Sequence, residues 1–151
     1  MKKSFDLKKG VDFIGVTCVF YCHDGRGNLL MHKRSKNCRD EQGRWDPGAG
    51  SMEFGETFLE TAKREIQEEY GVMPKNIQFW GTSNVLRLNG ATPTHWIALL
   101  FTAQVNPKKV KIGEPEKMDE IGFFPLNKLP KPLHSMVLPH LKMIREAGAR
   151  I

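Results

Sequence analysis

Hydrophobic and polar positions divide the chain into strand-like runs on either side of one amphipathic stretch. Val11 to Tyr21 (VDFIGVTCVFY) is rich in β-branched and aromatic residues and reads as a buried strand. The turn cluster His23-Asp24-Gly25-Arg26-Gly27-Asn28 follows. Leu29, Leu30 and Met31 then open the partner strand of a hairpin, which ends at His32-Lys33-Arg34. Ser35 to Gly43 is polar and loop-like. From Thr57 the period changes. At about 100° per residue, Phe58, Leu59, Ala62, Ile66 and Tyr70 share one arc, which is expected to face the core, while Glu60, Lys63 and Gln67 face water. Thr57 and Glu60 have capping-box spacing, Gly71 suits a left-handed helix end, and Pro74 prevents the helix from resuming. Ile77 to Leu88 reads as a long strand. Asn89-Gly90 is a hairpin signal, with Ala91 to Thr94 lengthening the turn. His95 to Val105 returns as a mostly buried strand. Asn106 to Lys117 is a charged loop, Asp119 to Phe124 a short strand, and Pro125 to Pro132 a turn. His134 to Ala149 reads as a C-terminal helix, broken or restarted at Pro139. Strands on both sides of a central helix, with a second helix at the end, predict an α/β sandwich with substantial antiparallel pairing.

Length and charge narrow the picture. A chain of 151 residues fits one domain, 1–151, with a real hydrophobic core. The net charge is +6 although the amphipathic helix is acidic, which suits steering of a polyanionic substrate. The basic residues are scattered, with only short runs such as Lys108-Lys109-Val110-Lys111, and this argues against nucleic acid as a partner. The three cysteines Cys18, Cys22 and Cys38 form no CxxC pair, so neither a zinc site nor a disulfide framework is expected. Cys18 and Cys22 read as small core residues on one strand face. The opening MKKSFDLKKG has no apolar run behind its charges, so no signal peptide is expected. No stretch approaches the ~20 apolar residues of a membrane helix. A cytoplasmic location is the default.

The candidate chemistry lies in Gly50 to Val72, GSMEFGETFLETAKREIQEEYGV. Glu65, Glu68 and Glu69 stand at i, i+3 and i+4 and share a helix face, and Glu69 falls within the apolar arc. Like charges at this spacing repel, and a partly buried carboxylate is costly unless paired. A hard divalent cation, which takes oxygen ligands, would resolve both problems. The block is similar to the Nudix box, G-x5-E-x7-R-E-U-x-E-E-x-G-U with U a bulky aliphatic residue. Gly50, Glu56, Arg64, Glu65, Ile66, Glu68, Glu69, Gly71 and Val72 match it at every spacing. Ala49-Gly50 replaces the Gly-Gly pair of many members. The Arg44 to Gly50 approach, with its Trp-x-x-Pro-Gly stretch, is also similar, and the wider layout resembles the family from about Val11 to Pro130.

The resemblance implies a Nudix-type α/β/α sandwich with a mixed, largely antiparallel-paired sheet and the box as loop–helix–loop. It implies hydrolysis of a nucleoside diphosphate linked to another group, using Mg2+ or Mn2+. The implied metal partners are Glu65, Glu68 and Glu69, a backbone carbonyl near Gly50, and Glu56 as a further ligand or a brace behind the ligands. Arg64 is expected to orient a glutamate by a charge-assisted pair. The general base stays open between Glu69 and the loop acids Glu114, Glu116 and Glu120, with Glu116 the first choice. Arg34 is weighed evenly between a phosphate or substrate contact and a surface arginine. Trp45 is assigned to the core. Trp80, Trp96, His95, Asn84 and Phe124 are available near strand ends to contact a nucleobase, although each residue type is more often core or surface than ligand. The expected substrate is a small-molecule nucleotide, first a (deoxy)nucleoside triphosphate. The alternatives are ADP-ribose, a nucleotide sugar or a dinucleoside polyphosphate, or a nucleotide- or RNA-binding Nudix module without turnover. Family members often form homodimers, and that state is left open.

Overall fold

The computed structural model describes residues 6–151. Residues 1–5, which begin the MKKSFDLKKG segment, lie outside the described residues. The elements in chain order are β1 (Gly15–His23), β2 (Asn28–Arg34), β3 (Trp45–Asp46), β4 (Ala49–Ser51), α1 (Phe58–Tyr70), β5 (Lys75–Asn89), β6 (Thr92–Gln104), β7 (Met118–Pro125) and α2 (Val137–Glu146). The strands form one sheet ordered β3-β2-β1-β6-β5, with β7 added to β2 and β4 to β1. Among the described strands β1 and β6 run parallel, and the other strand pairs are antiparallel.

Alternation along β1 sets the layers, because successive side chains point to opposite faces of a strand. Cys18, Phe20 and Cys22 pack with Ala62, Ile66 and Tyr70 of α1. Val19 and Tyr21 pack with Val137, Leu141 and Ile144 of α2. The helices therefore cover opposite faces, and the architecture is the expected α/β/α sandwich with a mixed sheet.

Several boundaries differ from the sequence reading for physical reasons. β1 starts at Gly15, because Val11 and Asp12 donate back to Lys8 O in a tight turn, and Val11, Phe13 and Ile14 are exposed. Phe58 and Leu59 are also exposed. The buried side of α1 is Thr61, Ala62, Glu65, Ile66, Glu69 and Tyr70, so the inward arc is rotated towards the acids. The capping box is present: Thr57 Oγ1 accepts from Glu60 N, and Glu60 accepts from Thr57 N. Gly71 ends the helix at φ +62°. The β5–β6 hairpin pairs Asn89 with Thr92, so Ala91 to Thr94 do not lengthen the turn. α2 runs unbroken through Pro139, whose missing N–H falls in the first turn, where it has no intrahelical partner to lose.

The expected β1–β2 hairpin forms only at its mouth, pairing His23 with Leu29. Beyond that pair the strands diverge. β1 takes β4 on that side (Thr17 with Ser51, Cys18 with Gly50), while β2 takes β3 (His32 with Asp46). The segment Trp45 to Ser51 thus fills a split in the sheet.

Candidate active site

The split brings the glycine-rich approach against the acidic face of α1. Gly48 has φ +128°, a conformation that favours glycine, and a Cβ there would press on Phe20 and the Glu69 carboxylate. A Cβ at Gly50 would land on the Glu65 carboxyl group itself. Both glycines therefore permit close approach between backbone and carboxylate. The Gly50 carbonyl accepts from Thr17 Oγ1 at 3.0 Å, and Gly50 pairs with Cys18 in the β1–β4 ladder.

Glu69 is 6 % exposed, and its Oε2 has no hydrogen-bond partner among the described residues. Burial pushes its carboxyl well above the usual carboxylate range; the charges of Asp46, Glu65 and Glu114 push further, and the Ala49 N–H donated to it offsets only part. Burial also raises Glu65, against the hydrogen bond and charge of Arg64. Glu68, by contrast, is half exposed. Arg64 binds Glu65 Oε1 at 2.7 Å and Ser51 O at 3.1 Å, reaches Glu68 at 3.4 Å, and grips Glu56 through Nε and Nη2. Glu56 also accepts from Glu53 N and Thr61 Oγ1, and its carboxyl is pulled down to about 2, chiefly by the Arg64 hydrogen bond. Its oxygens are well supplied with donors, which fits a brace better than a free ligand.

Among the described residues no group of three His, Cys, Asp or Glu side chains converges as a preformed metal cluster. The donor set still fits a hard cation. It offers carboxylate oxygens, one of them buried without a partner, and a backbone cradle that a single Cβ would fill.

A cleft of about 450 Å³ opens at the split. Its walls include Glu69, Gly50 and Ser51, the apolar Val19, Val85, Trp96 and Ala98, and a polar array of His32, Arg34, Asp40, Asp46, Arg87, His134 and His140. Its volume lies within the ~300–1,000 Å³ typical of small-molecule sites. Arg34 lies in this wall, pinned between Asp46 (2.9 Å) and Asp40 (2.8 Å). Arg87 spans Asp40 and Glu41, and Glu41 in turn accepts from Ser135 N and meets His134 Nε2 at 2.7 Å. These ties hold the 35–43 loop against β5 and the approach to α2.

The other candidates are dispersed. Trp80 donates Nε1–H to Thr102 Oγ1 at 2.8 Å and does not line the cleft. His95 pairs with Asn84 at 3.2 Å, also outside the cleft. Phe124 packs edge-on against the buried Trp45 at 5.2 Å. Trp96 does reach the cleft, with Arg39 4.9 Å from its ring centroid. The Glu116 side chain is exposed, and only its carbonyl is engaged, by Ser35 and Asn37. Glu114 is the loop acid whose charge reaches Glu65 and Glu69. It is placed there because Gly113 N and Lys111 N bond the last carbonyls of α1, on Glu69 and Tyr70. His32, Asp46, Arg87 and His140 were not picked out from sequence. Only the Arg39-Asp40-Glu41 charge cluster in an otherwise polar loop hints at the network.

The NUDIX domain family matches residues 13–147, so the chain belongs to the Nudix family. It is 29% identical over 146 residues to the mouse 8-oxo-dGDP phosphatase NUDT18, covering 95% of this chain and 41% of that protein. It is 34% identical over 119 residues to an ADP-ribose pyrophosphatase of Methanocaldococcus jannaschii, covering 78% of this chain and 64% of that one. The chain spans 24% to 52% of the length of the first three curated relatives it matches. Among solved structures, a MutT NUDIX hydrolase from Burkholderia pseudomallei superposes with a TM-score of 0.73 at 24% identity, covering 87% of this chain and 96% of that chain. At that identity the likeness speaks for the fold. Among the described residues no helix is long and apolar enough to cross a membrane.

Proposed function

We propose that this chain hydrolyses the pyrophosphate bond of a nucleoside diphosphate derivative, with Mg2+ or Mn2+ bound by Glu65, Glu68 and Glu69 and the Gly50 carbonyl. The observation that carries the reading is Glu69: a buried carboxylate, with one oxygen lacking a partner, in the wall of a nucleotide-sized cleft. When bound, the cation would neutralise charge building on phosphoryl oxygens and acidify a water. The chain's own residues supply the rest. Arg64 holds Glu65 and Glu56 and ties both to the Ser51 carbonyl, so the carboxylates are set before substrate arrives. Lys117 and Arg39 line the cleft as cations for phosphate oxygens, and Val85, Trp96 and Ala98 offer an apolar wall to a base.

Two relatives, an 8-oxo-dGDP phosphatase and an ADP-ribose pyrophosphatase, favour nucleoside diphosphates among the candidate classes. Nucleoside triphosphates remain the other class to test. Of the loop acids, Glu114 is a stronger candidate for the base than Glu116, because its charge reaches the helix glutamates.

The test is phosphate, pyrophosphate or nucleoside monophosphate release from a panel of nucleoside di- and triphosphates (8-oxo forms included), ADP-ribose, dinucleoside polyphosphates and nucleotide sugars, each with Mg2+ and then Mn2+. Metal-dependent turnover of one class supports the reading and fixes the substrate. Silence across the panel with tight nucleotide or RNA binding would replace the enzyme with a binding module.

A further inference from the structure

The hydrogens around Tyr70 fix the chemistry of a second side chain in the cleft. Tyr70 Oη lies 2.5 Å from the Pro47 carbonyl and 2.7 Å from His32 Nδ1, and both side chains are buried. A carbonyl only accepts, so the single phenolic hydrogen goes to Pro47 O. Tyr70 Oη must then accept from His32, which places a hydrogen on Nδ1. Burial lowers the pKa of His32 below the ordinary histidine value, and the nearby Asp46 charge opposes this only in part, so the ring is neutral at pH 7 and Nε2 carries a lone pair. His32 lies two positions after Leu30 on β2, and its ring faces Tyr70, the neighbour of Glu69, on the α1 side of the sheet. His32 also lines the cleft.

We propose that His32 Nε2 is a fixed hydrogen-bond acceptor that binds an N–H or O–H donor inside the cleft. An ionised phosphate offers no such hydrogen, so the partner is not the pyrophosphate oxygens. Two sources carry the required chemistry: an amino, imino or hydroxyl group of the bound nucleotide, or a water ordered beside the scissile bond. This inference rests on the hydrolase reading for its ligand but not for its tautomer. No proton is transferred to His32 in either case. Tyr70 acts through His32 as a positioning residue.

The full chain carrying 15N-labelled histidine tests this by long-range proton–nitrogen correlation, with His32 assigned by its loss in His32→Gln. The free protein should show the neutral Nδ1–H tautomer, and α,β-methylene-ADP or α,β-methylene-GDP should shift the Nε2 resonance towards the hydrogen-bonded range. Tyr70→Phe should release the tautomer to a mixture. An Nε2–H tautomer in the free protein, or an Nε2 resonance unmoved by both analogues at their highest concentration, overturns the proposal. In kinetics, His32→Leu should lower kcat/KM about tenfold, the scale of one lost hydrogen bond, and His32→Gln, which keeps an acceptor in reach, should recover most of it. A raised KM assigns the donor to the nucleotide, and a lowered kcat at unchanged KM assigns it to the water. His32→Leu with wild-type kcat/KM refutes both. Because the tautomer is read on the free protein, a panel without turnover defeats the hydrolase reading while leaving His32 to be judged by its own resonance.

Discussion

Glu69→Gln should make the metal-free protein more stable while removing its response to metal. The native carboxylate is buried with one oxygen unpartnered among the described residues, and Ala49 N–H donates to it. Leaving a buried polar group unsatisfied costs about 1–3 kcal/mol, more for a charge. Glutamine keeps an acceptor for Ala49 N–H and, although its amide NH2 takes the same unpartnered place, removes the charge that Asp46, Glu65 and Glu114 all repel. A gain of about 1–3 kcal/mol would raise the melting temperature by about 2–12 °C in a chain of this size. The sign with pH follows from the raised carboxyl. Its contribution to stability is fully present below the ordinary value of 4.5 and is lost as pH rises through the elevated folded value. In chelator, the variant should therefore match wild type near pH 4.5 and pull ahead above it. Adding Mg2+ at a hundredfold excess over its dissociation constant should stabilise wild type by about 2.7 kcal/mol and the variant by much less. Thermal melts of both proteins from pH 4.5 to 8, with EDTA and then with Mg2+, supply every number. A variant less stable than wild type at pH 7.5 in EDTA would refute this account of Glu69, as would an equal gain from Mg2+ in both proteins.

Three further outcomes follow from the same geometry. Glu68→Gln should abolish metal-dependent turnover with a stability change within about 0.5 kcal/mol, since Glu68 is half exposed; normal activity with any substrate that wild type turns over would remove Glu68 from the metal set. Gly50→Ala should force the Glu65 carboxylate off its Arg64 bond, cost about 1–3 kcal/mol in chemical denaturation from overpacking, and lower kcat by more than the fold is weakened. Glu114→Gln should reduce kcat more than Glu116→Gln, whose effect should stay within a few fold; the reverse order in steady-state kinetics would return the loop assignment to Glu116.

The parts of this protein that were readable from sequence are those fixed by neighbours along the chain. The α1 cap, its C-terminal glycine and the clustering of Glu65, Glu68 and Glu69 depend on spacings of three and four residues, and those spacings survive any tertiary context. Even there the inward arc was misplaced by part of a turn. Phe58 and Leu59 look like core residues by type, yet buried places go to Thr61, which donates to the Glu56 carboxylate and the Thr57 carbonyl, and to Glu65, which lies against Gly50. The cleft wall was not readable, because its pairs lie far apart in sequence. Arg87 meets Asp40 and Glu41 across 47 and 46 residues, and His32 meets Tyr70 across 38. Arg87 is flanked by Leu86 and Leu88, which look by type like the buried face of β5, yet those leucines are exposed and Arg87 shares the face of the buried Ser83 and Val85.

The split between β1 and β2 connects these observations. A continuous hairpin would have joined the two strands by backbone hydrogen bonds and closed the sheet over α1. With β4 on β1 and β3 on β2, the Pro47-Gly48 link crosses the gap, and its backbone meets α1 directly: Pro47 O takes the Tyr70 hydrogen and Gly48 faces Glu69. One short segment therefore orients a histidine tautomer through Tyr70 and leaves a carboxylate oxygen without a partner, on adjacent residues of a single helix turn. Stability alone would favour filling both places with apolar side chains, since a buried unpaired charge is a net cost. Burial alone favours the protonated form of Glu69, so the proposed cation is what would hold it ionised, and the same gap that exposes it to the cleft would supply the entry.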